Sequence, residues 1–115
     1  MRTITPEEVE AAFKETGYQP ISYAFLLTHN KEACALGVLG VVAGIAQTEI
    51  IKWINANFDS RYEIGLSVGF IGNKEKLSTD TVAIDNEGII QQGFEDGWKV
   101  RKHLKACGYK IKIEP

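Results

Sequence analysis

The chain's imidazole and thiol groups come from four residues: His29, Cys34, His103 and Cys107. His103 and Cys107 stand four apart, on one face of a helix, a spacing that can chelate zinc. His29-x4-Cys34 is a looser pair. If the two pairs met, their Cys2His2 set would close a tetrahedral site. Neither pair has Cys-x2-Cys spacing, and Cys107 falls on an apolar stripe, so the expectation is a chain without resident zinc. A zinc-stabilised domain stands as an alternative. Cys34 carries a second reading. It opens an expected helix, where unpaired backbone N–H groups lower a thiol's pKa, and His29 is a base close by in sequence. The competing reading is a small buried hydrophobe, because the helix it opens is apolar on every side. The sequence favours burial.

Other chemistry is thinly represented. Glu95 and Asp96 are adjacent on an expected helix and point in different directions, so they do not make a paired acid and base. They read as solvated surface residues or as hydrogen-bond partners for the ends of other helices. No nucleophile–base–acid pattern, Gly-x-Gly-x-x-Gly or Gly-x4-Gly-Lys-Ser/Thr is present, so no cofactor is expected. Residues 1–98 hold seven Lys and Arg against fourteen Asp and Glu, whereas residues 99–115 hold six against one. Lys99, Arg101, Lys102, Lys105, Lys110 and Lys112, flanked by Trp98 and Tyr109, are therefore candidate contacts for an anion or nucleic acid. An overall pI near 5.7 weighs against nucleic acid, and lysines also gather at helix C-termini to oppose the dipole.

Eight of the eleven glycines lie within or at the ends of segments that otherwise read as helix. Gly37, Gly40 and Gly44 form one series, Gly65, Gly69 and Gly72 a second, and Gly93 and Gly97 a third. Each interior glycine costs a helix about 1 kcal/mol relative to alanine. The offset is either close approach of two backbones or room for a ligand beside a bare one, and the spacing favours packing. Pocket candidates on the second reading are Cys34, His29, Gly37, Gly69, Gly93 and Gly97.

These residues need elements to hold them. Thr5-Pro6-Glu7-Glu8 is a capping box with proline at the first helical position, and Gly17 is a stop. Ala33–Gly44 reads as a central helix, with Ala33, Gly37, Gly40 and Gly44 lining a groove of small residues. Thr48 is expected to cap a helix over Glu49–Phe58. Ser60 and Glu63 form a second capping box opening Arg61–Ile71. Residues 73–85 read as a loop with an extended piece at Thr81–Ile84. Asp85 or Asn86 is expected to cap a final helix, Glu87–Ala106, carrying the stripe Ile90, Gly93, Gly97, Val100, Leu104 and Cys107. The segment after Pro20 and the alternating Tyr109–Ile113 read as short strands.

The chain of 115 residues, 44% hydrophobic and 24% charged, suits one globular domain. Its first ten residues have no apolar stretch behind a basic start, and the most apolar run, Ala33–Ala46, is shorter than the ~20 residues that span a bilayer. The expectation is a cytoplasmic protein with reduced cysteines and no membrane partner. Cys34-Ala35-Leu36-Gly37, Val68-Gly69-Phe70 and Gly93-Phe94-Glu95-Asp96-Gly97 together resemble a group of small bacterial proteins of uncharacterised function. These share a CALG-type helix and a later glycine-spaced helix with an acidic dipeptide. The resemblance implies no activity, but implies that Cys34, Gly37, Gly69, Gly93 and Gly97 meet in space. The fold expected is mainly α, a bundle of about five helices over residues 1–115, with a small two-stranded β element pairing 21–28 with 109–113. The function expected is a non-catalytic interaction or regulatory module that binds a protein partner or itself. An enzyme or ligand-binding protein with a pocket near Cys34 is the alternative.

Overall fold

Local signals set the first helix. In the computed structural model, which describes residues 2–27, 29–72 and 85–113, α1 spans Pro6–Thr16. The Thr5 hydroxyl accepts from the Glu8 N–H at 3.2 Å while the Glu8 carboxylate accepts from the Thr5 N–H at 3.0 Å, satisfying two donors that the helix leaves unpaired. Gly17 ends α1 at a φ of 73°, a conformation that costs glycine nothing. Val9, Ala12 and Phe13 give α1 its buried face.

Three two-residue strands follow or interrupt: β1 (Gln19–Pro20), β2 (Leu26–Leu27) and β3 (Glu32–Ala33). They form one sheet in the order β1-β3-β2, with β1 parallel and β2 antiparallel to β3. The fold is thus mainly α with a small β element. Of the expected pairing of 21–28 with 109–113, the described residues make one parallel bridge, Ile21 with Lys112, with Lys112 N–H donating to Pro20 O at 3.0 Å and Ser22 N–H to Lys112 O at 2.9 Å. The backbone groups of 26–27 go to β3 instead. A turn at 29–31, with Lys31 at a φ of 52°, brings β3 back within reach, so the nearer partner is used at smaller loop-closure cost.

α2 spans Ala35–Val42. It is shorter than the apolar run because Gly44 adopts a φ of 80°. Six of its residues are buried, as a helix apolar on all sides requires. It packs on α1 and on α3 (Ile50–Asn57). A 3-10 turn over Gln47–Glu49 precedes α3, and no side chain caps that turn or α3, so Thr48 does not play the expected role. α4 spans Ser60–Ile71. Its cap is Asp59, one residue before the expected one. The Asp59 carboxylate accepts from Arg61 N–H at 2.9 Å and grips the Arg61 guanidinium at 3.0 and 2.8 Å. That grip, followed by the Arg61 N–H, holds the Asp59 carboxyl down at about 2. The last helix, α5, spans Ile89–Ala106. The Asp85 carboxylate reaches past Gly88 to accept from Ile90 N–H at 3.1 Å and Gln91 N–H at 2.9 Å. The expected extended piece at Thr81–Ile84 lies outside the described residues.

α4 and α5 make the tightest pair, and the glycines are the reason. A Cβ at Gly65 would overlap the Ile90 carbonyl oxygen and lie 2.8 Å from Phe94 N; one at Gly69 would overlap Phe94 O and lie 2.8 Å from Trp98 N. From the other side, Gly93 abuts the Tyr62 carbonyl and Gly97 the Leu66 carbonyl. Partner numbers rise together along both helices, so α4 and α5 run parallel, each pressing a Gly-x3-Gly face into the other's backbone. Gly37 meets a different surface, the carbonyl of Phe25, and Gly40 meets only the side chains of Ile50 and Trp53. Nothing lies within 4 Å of a Cβ at Gly44. The expected continuous groove along α2 is therefore split among three environments.

The common core gathers Val9 and Phe13 from α1, Leu36 and Val38 from α2, Ile54 from α3, Tyr62 from α4, and Leu104 from α5. The radius of gyration, 13.3 Å, is that of one folded domain of this length, about 13 Å. Among the described residues no helix is long and apolar enough to cross a membrane.

Candidate functional site

Residues 63, 66, 67 and 70 recur at i, i+3, i+4 and i+7 on α4, a stripe beside the one given to α5. This second stripe faces a cleft of about 280 Å³. The opposite wall is the start of α2, Cys34 to Leu36, and the roof is the irregular segment 22–25 with the rings of Tyr23 and Phe25. The wall is placed by backbone contacts. Cys34 N–H donates to Phe25 O at 3.2 Å, and the missing side chain at Gly37 lets the first turn of α2 close on that same carbonyl. Gly37 thus shapes the cleft without lining it.

Cys34 is the N-cap of α2, its sulfur accepting from Gly37 N–H at 3.3 Å. The N–H groups of the first turn do pull its pKa down, but desolvation is stronger and pushes the thiol up to about 11. The group at the mouth of the helix is therefore a neutral thiol at physiological pH, and its nucleophilic form is scarce. His29, the base expected beside it, is exposed in the turn before β3 and does not line the cleft. The charged member of the lining is Glu63. It is half-buried, and its carboxylate has no hydrogen-bond or ion-pair partner among the described residues. Burial, and to a lesser degree the charge of Asp59, raise its pKa. The cleft is an apolar slot lined by one carboxyl group, unpartnered among the described residues, and by three hydroxyl-bearing residues, Ser22, Tyr23 and Ser67.

The resemblance-based grouping of Cys34, Gly37, Gly69, Gly93 and Gly97 divides in two. Gly69, Gly93 and Gly97 are filled by the facing helix, while Cys34 and Gly37 belong to the cleft wall. The two parts are joined through α4, whose Leu66 and Phe70 lie over Gly97 on one side and line the cleft on the other.

The two halves of the expected Cys2His2 set do not converge. Cys34 is in the cleft, whereas His103 and Cys107 gather with Glu10 of α1. Cys107 caps α5, exposed rather than on the buried stripe, because Gly108 turns the chain at a φ of 93°. The Glu10 carboxyl is pulled down by its bonds to His103 and Cys107, and the Cys107 thiol is pushed up by desolvation and by Glu10.

Asp96 has a role that its sequence neighbourhood concealed. It is buried, accepting from the Tyr62 hydroxyl at 2.6 Å and from Gln92 Nε2 at 2.9 Å. The Tyr62 oxygen in turn accepts from Ile4 N–H at 3.0 Å. This chain ties the N-terminal segment, α4 and α5 together, and burial with the neighbouring carboxylate drives the Tyr62 pKa far up. Its partner Glu95 is exposed. A tyrosine 34 residues before an aspartate leaves no local pattern to read.

Of the basic residues, Arg101 lies against the Gly72 backbone at the end of α4 and Lys112 pairs with Glu32 at 3.6 Å. Lys99, Lys102, Lys105 and Lys110 are exposed. A comparison with family models, curated proteins and solved structures finds no match to this chain.

Proposed function

We propose that this chain is a small non-catalytic regulatory module that binds a small apolar molecule carrying an amine or other hydrogen-bond donor in the cleft at Cys34. The observation that carries the reading is Glu63, a half-buried carboxylate without a partner among the described residues, at the wall of an apolar slot. Leaving such a group unpaired costs free energy that a donor or cation would recover. A slot of about 280 Å³ falls at the lower edge of ligand cavities, roughly 300–1,000 Å³, so the ligand is one ring or a short chain. A thiol held neutral beside it supports recognition over covalent chemistry. Two unpaired cysteines support a reducing compartment such as the cytoplasm. The partner-binding role expected from the charge division would rest on the exposed Lys99, Lys102, Lys105 and Lys110, and an apolar contact on Val42, Ile51, Ile64 and Ile113, which come from separate segments; the cleft is the stronger basis.

The test is titration with phenethylamine and phenylacetate, which share a ring and differ in charge. The reading expects saturable binding of the amine, weaker binding of the acid, and loss of that preference in Glu63→Gln. Ser67→Trp, at the exposed rim, should block the amine. Equal affinity for both compounds in the wild type, or amine binding that survives Ser67→Trp, refutes it.

A further inference from the structure

We propose that Glu10, His103 and Cys107 form a binding site for a zinc ion with its fourth coordination position open. The site is independent of the cleft and of the reading given to it. The donor atoms are already close: His103 Nε2 lies 3.1 Å from Glu10 Oε1, Cys107 Sγ lies 3.4 Å from Glu10 Oε2, and Sγ lies 3.8 Å from Nε2. Zinc bonds of about 2.3 Å to sulfur and 2.0–2.1 Å to nitrogen and oxygen set tetrahedral edges of about 3.3–3.6 Å between donors. The two Glu10 contacts use different carboxylate oxygens, but one donor atom from each residue lies within 4.8 Å of the others, so small rotations of side chains bring one oxygen, Nε2 and Sγ to that range.

The donor chemistry selects zinc over other classes of ligand. Sulfur and imidazole together disfavour magnesium and calcium, which take oxygen. The same geometry disfavours a catalytic triad. There the acid must hold the imidazole nitrogen remote from the nucleophile, whereas here carboxylate and thiol both face Nε2. Without metal, the thiol and the imidazole can each direct a proton at the Glu10 carboxylate. Entry of Zn²⁺ displaces both protons: the Sγ proton goes to solvent, and the Nε2 proton is given up to solvent, leaving a neutral imidazole bound through Nε2 with its one proton on Nδ1.

The scaffold is built for precision. His103 and Cys107 are one helical turn apart on α5, and Glu10 comes from α1, which packs on α5. Two of the ligands thus sit on regular helices and the third caps one, which fixes them better than a loop would. Glu10 and Cys107 also border a cavity of about 430 Å³ that holds Lys14 and Tyr109. Cys107 is exposed, so solvent reaches the site and can supply the fourth ligand.

The experiment uses the full chain, stripped with chelator and kept reduced, titrated with zinc by calorimetry and with Co²⁺ by absorption. One equivalent should bind, and cobalt should give a thiolate charge-transfer band with the visible bands of a four-coordinate site. Cys107→Ser should remove the charge-transfer band. Glu10→Gln and His103→Ala should each weaken zinc by at least about 10-fold, the loss that even outer-sphere changes produce. Cys34→Ser should change nothing. All three ligands are half-buried or exposed, so circular dichroism of the variants should be that of the wild type. No saturable binding at one equivalent, a charge-transfer band that depends on Cys34, or zinc affinity indifferent to Glu10→Gln overturns the site.

Discussion

Gly97→Ala tests the pairing of α4 and α5 with a single methyl group. The new Cβ would overlap Leu66 O and stand 2.9 Å from Phe70 N and 3.1 Å from Leu66 C. Ordinary carbon–oxygen approach between helices is about 3.3–3.6 Å, so the helices must part by roughly 1 Å along this face. The obstacles are backbone atoms and have no rotamer through which to yield. Overpacking costs about 1–3 kcal/mol; against backbone that cannot turn aside the upper part of that range, about 2–3 kcal/mol, applies, and alanine returns about 1 kcal/mol of helix propensity. The net expectation is a loss of roughly 1–2 kcal/mol. At roughly 4–8 °C per kcal/mol for a domain of about 100 residues, Tm should fall by about 4–16 °C. The assay is urea denaturation followed by far-UV circular dichroism, with Gly40→Ala as the control. That control faces only the ends of flexible side chains, Ile50 Cδ1 at 2.5 Å and Trp53 at 3.3 Å, and gains the same propensity, so it should be less damaging by about 1 kcal/mol or more. Because Leu66 and Phe70 also line the cleft, Gly97→Ala should weaken phenethylamine binding as well. Wild-type stability in Gly97→Ala, or equal losses in both variants, would refute the backbone interlock.

Three further expectations follow from named contacts. In a Cys107→Ser background, Cys34 should react with a thiol reagent at pH 8 about 100-fold more slowly than an unperturbed thiol, because a pKa near 11 in place of 9 removes that much thiolate. Its rate should climb with pH towards 11 and recover in denaturant; reaction as fast as that of glutathione would contradict a thiol held neutral by desolvation. Tyr62→Phe strands a buried Asp96 oxygen and the Ile4 N–H, and should cost roughly 2–3 kcal/mol by chemical denaturation, with a loss under 0.5 kcal/mol (about the size of a surface substitution) counting against the network. Gly37→Leu should be more destabilising than Gly97→Ala, since the larger side chain meets the Phe25 carbonyl; an unchanged thermal midpoint would remove that contact from the account.

What the sequence disclosed was local. The Thr5–Glu8 capping box and the Gly17 stop involve near neighbours and formed as their patterns indicate, and the α5 stripe is buried from Ile90 to Leu104, with Cys107 at its end exposed. The two Gly-x3-Gly motifs were legible as a packing device because glycine spacing is itself a statement about backbone approach. Features that depend on distant partners were not legible. Residues 26–27 found β3 rather than the C-terminal tail through a turn whose geometry no composition signals. Asp59 displaced Ser60 as a cap because Arg61 adds a bidentate pair, a choice between two adequate neighbours. Cys34 has the N-terminal position of a reactive thiol, yet what decides its acidity is the desolvation that the walls of the cleft impose. The same holds for Asp96 and Glu10, acidic residues whose roles are set by Tyr62 and by His103 with Cys107 across the fold.

The central claim, that the cleft between α4, the start of α2 and the segment 22–25 is a ligand site, is tested most directly by a titration of the ¹⁵N-labelled chain with phenethylamine, followed residue by residue by NMR. The account predicts saturable shifts confined to the amides of Tyr23, Phe25, Cys34, Leu36, Glu63 and Ser67, absent in Ser67→Trp. Shifts centred elsewhere, or none at millimolar amine, would contradict it.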